Sequence, residues 1–80
     1  MNDIEDLSKY LSERIEVVNS LTAQIAENPT LELYKALDVE LERIINAIIN
    51  ADFPRNDRIR IIFTKSMKAK TLNRRILAKC

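Results

Sequence analysis

Residues 25–37 read Ile25-Ala26-Glu27-Asn28-Pro29-Thr30-Leu31-Glu32-Leu33-Tyr34-Lys35-Ala36-Leu37. Pro29 cannot continue a helix, because it lacks a backbone N–H and its ring clashes with the preceding turn. Asn28 and Thr30 both favour the N-cap position. Either Asn28 caps a helix with Pro29 at its first position, or Thr30 caps one beginning at Leu31. In both readings one helix stops and another starts within three residues, and the chain turns back.

The pattern on the N-terminal side of this break has a period of seven. With Ile4 at heptad position a, Leu11, Val18 and Ile25 also fall at a, while Leu7 and Leu21 fall at d. Such spacing predicts an amphipathic helix over about residues 3–27. Asn2 or Asp3 suits its N-cap, and Asp3, Glu5 and Asp6 suit the positive end of its dipole. On the C-terminal side, Tyr34, Leu37, Leu41, Ile44, Ile48 and Ala51 recur three and four apart, predicting a second helix over about 31–51. Folding the chain at Pro29 sets Ile25 beside Tyr34, Leu21 beside Leu37, Val18 beside Leu41, Leu11 beside Ile48 and Leu7 beside Ala51. The matched seams predict an antiparallel hairpin.

One residue breaks the apolar seam. Arg14 stands at d, opposite Ile44, where its stem is expected to pack while its guanidinium reaches outward. A sharper alternative makes it a polar register device, ion-paired with Glu42 or with an acid of another chain. Apolar residues also spill beyond the seam: Tyr10 and Val17 on the first helix, Leu33, Ile45 and Ile49 on the second. Two helices cannot bury all of these. Ile45 and Ile49 therefore require cover from the C-terminal segment or from a second copy, and Val17, Leu33, Ile45 and Ile49 are the candidate self-association residues.

The charge divides at the next proline. Residues 1–54 hold eleven acidic side chains against four basic ones, a net −7, whereas residues 55–80 hold nine basic ones against Asp57, a net +8. The two halves leave +1 over the 80 residues, so the whole-chain value hides the asymmetry. The stretch 52–56, containing Pro54, marks the boundary between an acidic hairpin (1–54) and a basic tail (55–80) within a single domain, 1–80.

The basic tail is less regular. As one continuous helix it places Ile59, Ile62, Phe63, Met67 and Leu77 on one side. Lys70 and Arg74 intrude there, and Ile61, Leu72 and Ile76 point elsewhere. Two short helices fit the pattern better: one over about 57–69 with Asn56 or Asp57 near its cap, and one over about 71–79 starting at Thr71 and burying Leu72 and Ile76. A rival reading makes 58–64 a strand, because Arg58-Ile59-Arg60-Ile61 alternates and Ile61-Ile62-Phe63 favours extended backbone. The expected fold is thus all-α: a long antiparallel hairpin, then one or two short basic helices, assembled as a helical-bundle dimer.

Missing residue types exclude much chemistry. The chain has no Gly and no His, and its one Cys is Cys80. Without Gly there is no phosphate-cradling loop or strained nucleophile turn, both of which need positive φ or close backbone approach. Without His, neither Ser-His catalysis nor a His metal ligand is available, and one thiol forms neither an internal disulfide nor a zinc site. Asp38/Glu42 and Asp3/Asp6 share helix faces, but solvated faces seldom tune carboxylates for acid–base work. No catalytic, metal or cofactor-binding residues are expected, and the chain is not expected to be an enzyme.

No 18-residue apolar run and no basic, apolar leader occur in the sequence, so neither a membrane span nor a signal peptide is expected. A reducing compartment suits the single thiol, and the cytoplasm is the expected location. What remains is action by contact. The leading expectation is a protein–protein regulator or adaptor with a self-associating hairpin. Its target, a protein, would be bound through Arg58, Arg60, Lys65, Lys68, Arg74, Arg75 and Lys79. The alternative is a nucleic-acid-binding regulator contacting phosphates through the same residues, though no stacking platform accompanies them. Peripheral contact with an anionic membrane ranks behind both.

Overall fold

The computed structural model describes residues 4–51 and 56–79. The expected caps Asn2 and Asp3, the boundary residues 52–55 and Cys80 lie outside the described residues, as does the side chain of Ile4. The fold is all-α, with three helices: α1 (Ile4–Glu27), α2 (Leu31–Ile49) and α3 (Asp57–Ala78). No strand occurs among the described residues.

Local chemistry sets the boundaries. Thr30 decides between the two caps open in the sequence: its backbone is extended and its hydroxyl accepts from the Leu33 N–H at 3.2 Å. Pro29 stays outside the helix. Asn56 caps α3 in the same way, its side-chain oxygen accepting from the Ile59 N–H at 2.9 Å. At the other end of α2 the Asn50 N–H donates to the Asn46 carbonyl and the Ala51 N–H to that of Ile48, closing the helix without a left-handed residue.

The helices lie side by side on α2. The molecule measures 38 × 20 × 19 Å, and its long axis is close to the ~36 Å expected for a helix of α1's length at 1.5 Å per residue. Both α1 and α3 pack against α2, yet no Cα of α1 approaches one of α3 within 8 Å among the described residues. The fully buried Leu11, Ile44, Ile48 and Ile59 draw one core from all three helices, with Leu7, Ile15, Val18, Ala47, Ile62 and Phe63 packed around them. Burying each such aliphatic side chain contributes about 1.5–3 kcal/mol. Of the expected α2 seam, Leu37, Leu41, Ile44 and Ile48 are buried. Ile45 is buried too, at 5 % exposure within a single chain, while its neighbour Ile49 is 54 % exposed.

The C-terminal segment departs most from expectation. It is one continuous helix of 22 residues, so neither the two-helix reading nor the 58–64 strand holds. The physical reason lies in Lys70 and Arg74, whose apparent intrusion argued against continuity. Lys70 Nζ stands 3.3 Å from a Glu42 carboxylate oxygen, and Arg74 Nε stands 3.5 Å from Asp38. Both intruders meet acids on α2. Thr71 caps nothing; its hydroxyl donates to the Met67 carbonyl one turn back. The buried side of α3 accordingly passes through Ile59, Ser66 and Asn73, whereas Leu72 and Ile76, expected inside a second short helix, are exposed.

Arg14 also finds a different partner. Its guanidinium lies 3.0 Å from Glu40, which meets Arg43 with its other oxygen at 3.1 Å, and it sits 5.8 Å above the Tyr10 ring. Glu42, the partner offered by the register-device alternative, is two residues farther along α2, roughly 200° around the helix, and is held by Lys70.

Candidate functional site

Helix α3 has two faces of different character. Its inner face is anchored on α2 by the Lys70–Glu42 and Arg74–Asp38 pairs and by Asn73, whose side-chain amide donates to the Tyr34 carbonyl at 2.9 Å. As the α3 position rises from 70 to 74, the α2 partner falls from 42 to 38, so these two helices run antiparallel.

The outer face carries most of the candidate basic residues. Arg58, Lys65, Lys68, Arg75 and Lys79 are exposed and make no ion pair among the described residues. Arg60 is exposed and lies 3.8 Å from Asp57 on its own helix, a pairing worth little in water. Arg74 belongs to the inner set through Asp38. Of these seven residues, the fold separates one that holds the helix in place from five that are exposed and meet no acid among the described residues.

Exposed apolar residues are interleaved with the free cations. Ile61 and Leu72 are more than half exposed, and Ile76 and Met67 about two-fifths. Ile61, Lys65, Lys68, Leu72 and Ile76 follow one another at intervals of three and four, the spacing of a helical stripe. Exposed apolar neighbours of the basic residues are expected from the sequence, but the two-helix reading places Leu72 and Ile76 in a core, where the structure exposes them. The signal was present in the continuous reading, which turns Ile61, Leu72 and Ile76 away from the buried side.

A groove of about 340 Å³ lies beside this stripe, where α1 and α3 stand apart over α2. Leu41 and Ile44 form its floor, Ile15 and Val18 its α1 wall, and Ile61, Ile62 and Ala69 much of its α3 wall. Lys65 is the one ionisable side chain among the lining residues; Asn19 and Ser66 supply the other polar groups. Two other depressions, of about 410 and 580 Å³, are lined by α3 alone, around Thr71 and around Thr64. Of these three, the groove over α2 is the one lined by all three helices.

The candidate self-association residues do not gather into one patch. Ile45 is buried, Ile49 is exposed, and Val17 and Leu33 are half-buried. Leu33 and Ile49 are sixteen residues apart, roughly four and a half turns, which sets them on nearly opposite sides of α2.

The remaining polar features serve packing. Asn73 is 3 % exposed, and its amide oxygen lacks a partner, as does Arg14 Nε. Among the described residues no three acidic, Cys or His side chains cluster to hold a metal ion, and no helix is long and apolar enough to cross a membrane. No protein-family model, curated protein or solved structure matches the chain.

Proposed function

We propose that this chain acts by contact: a small non-enzymatic regulator or adaptor that presents the outer face of α3 to an acidic protein surface. In this reading α1 and α2 form a hairpin scaffold, and α3 is the recognition element. The observation that carries it is the stripe in which exposed Ile61, Leu72 and Ile76 alternate with Lys65 and Lys68. Cations alone would suit any polyanion. Cations set among exposed aliphatics suit a surface that offers both carboxylates and apolar area, and protein interfaces bury both.

Nucleic acid is the second reading, favoured by the five outward cations that make no ion pair among the described residues. Against it, Ile61, Leu72 and Ile76 would face phosphates, and the aromatic residue of α3, Phe63, is packed against the core rather than offered for stacking. Self-association belongs to the proposal as well. Exposed Ile49, with half-buried Val17 and Leu33, supports it, although burial of Ile45 by the chain's own packing removes one need for a second copy.

The test pairs two measurements on the full chain. Titration with labelled DNA and RNA duplexes is expected to give no binding at micromolar concentration in physiological salt. Affinity at that level, falling steeply with added salt, would transfer the outer face to nucleic acid. Cross-linking capture from the native cell is expected to yield a nuclease-resistant protein complex that Lys68→Glu with Arg75→Glu abolishes. A complex that survives those substitutions would place the contact elsewhere.

A further inference from the structure

We infer that the groove between α1 and α3 receives an acidic amphipathic helix of another protein, which completes a four-helix bundle on α2. This rests on the contact reading above and names its partner class. α2 already carries one helix on each flank, and the two flanking helices do not approach each other at the backbone. The space left between them is floored by Leu41 and Ile44 and walled by Ile15, Val18, Ile61 and Ile62. A helix bearing an apolar stripe fills such a space by the packing that builds any helical bundle.

The shape and chemistry of the site narrow the occupant. A lipid surface is flat and cannot reach the groove floor. A nucleic-acid backbone has nothing apolar to set against those walls. Charge then fixes the sign of the helix: Lys65 lines the groove, Lys68 and Arg58 lie exposed on the same helix, and the polar lining residue of the α1 wall, Asn19, is uncharged. Carboxylates flanking the incoming apolar stripe would meet cations that have no acid among the described residues. The α3 wall of the groove runs from Ile61 to Ala69, about 12 Å of helix, so the occupant seats about two turns in it.

The probe is a fluorescein-labelled, hydrocarbon-stapled peptide of about sixteen residues, with leucines three and four apart and glutamates on the flanks. Its control has the same composition with the leucine stripe scrambled. Anisotropy is measured with the full chain at physiological salt. The striped peptide is expected to bind at least about tenfold more tightly than the scrambled one, and Ile61→Asp to weaken it by about tenfold or more. Lys65→Glu is expected to weaken it several-fold and Met67→Gln to leave it unchanged. Because Ile61 and Lys65 are exposed, their variants are expected to keep the wild-type circular dichroism spectrum. Equal binding of both peptides would overturn the helix-in-groove inference while leaving a charge-driven contact face intact. Binding of neither would overturn both. Sedimentation equilibrium showing a dimer that Ile61→Asp dissociates would make a second copy the occupant and overturn the foreign helix.

Discussion

α2 meets its two neighbours through different chemistry. Toward α1 it offers Ile44, Ile48 and Ala47 to Leu7, Leu11 and Val18, an apolar contact interrupted once by the Arg14–Glu40 pair. Toward α3 the same core receives Ile59, Ile62 and Phe63, and α2 further offers acids and a backbone carbonyl: Glu42 to Lys70, Asp38 to Arg74 and Tyr34 O to Asn73. The first contact is driven mainly by removal of apolar surface from water, which is strong but weakly directional. The second adds groups whose partners must be in register, so it orients α3 and determines which of its sides remains outside. A basic helix can thus be held to an acidic scaffold by two of its cations while the others stay available.

The comparison breaks most severely at Ile45. Replacing this 5 % exposed residue by Asp buries an unpaired carboxylate, and the expected result in thermal unfolding is loss of the folded state or a penalty of several kcal/mol. Ile49→Asp, four residues farther along the same helix, is expected to change stability by about 0.5 kcal/mol or less unless Ile49 is covered by a second copy. Comparable damage at both positions, with a change in sedimentation, would show that the folded unit is an oligomer.

Asn73 tests whether register matters at the α3 contact. Asn73→Asp removes the amide that donates to the Tyr34 carbonyl and sets a carboxylate against that oxygen, with an expected cost of about 3 kcal/mol in denaturant unfolding. Asn73→Leu loses the same bond but also removes the amide oxygen that has no partner, so a change within about 1 kcal/mol is expected. Equal losses would indicate that volume rather than polarity governs the site. On the α1 side, Glu40→Gln weakens contacts to both Arg14 and Arg43 and is expected to cost about 1–2 kcal/mol, because Glu40 is largely buried and its loss leaves Arg14 uncompensated.

The same contrast explains what could be read from the sequence. Hydrophobic periodicity located α1 and α2 and named Leu37, Leu41, Ile44 and Ile48 as core, since an apolar seam advertises itself at every third or fourth position. The break at Pro29 was equally legible, because proline and threonine restrict the local backbone whatever surrounds them. α3 was harder, for its inner face runs through the buried Ser66 and Asn73 and the half-buried Lys70. These residues become interior only when α2 supplies Glu42 and the Tyr34 carbonyl, information held thirty or more residues away for the carbonyl and nearly so for the acid. Arg14's partner failed for a similar reason: choosing Glu40 over Glu42 depends on which side of α2 each helix occupies. The basic residues of the candidate surface were visible in the charge split at once. Their division into an anchoring pair and an outward set was not, because both sets have the same composition.

That division is the central claim, and it is tested most directly by two charge-reversal pairs compared in thermal unfolding followed by circular dichroism. Lys70→Glu with Arg74→Glu reverses the anchoring cations; Lys68→Glu with Arg75→Glu reverses two outward ones. Both change the net charge by the same amount, so general self-repulsion is matched. The inner pair is expected to lose about 1 kcal/mol or more and to lower Tm by about 5 °C or more, while the outer pair leaves Tm within about 2 °C of the unaltered chain. Equal shifts in the two variants, or a larger shift for the outer pair, would contradict the account.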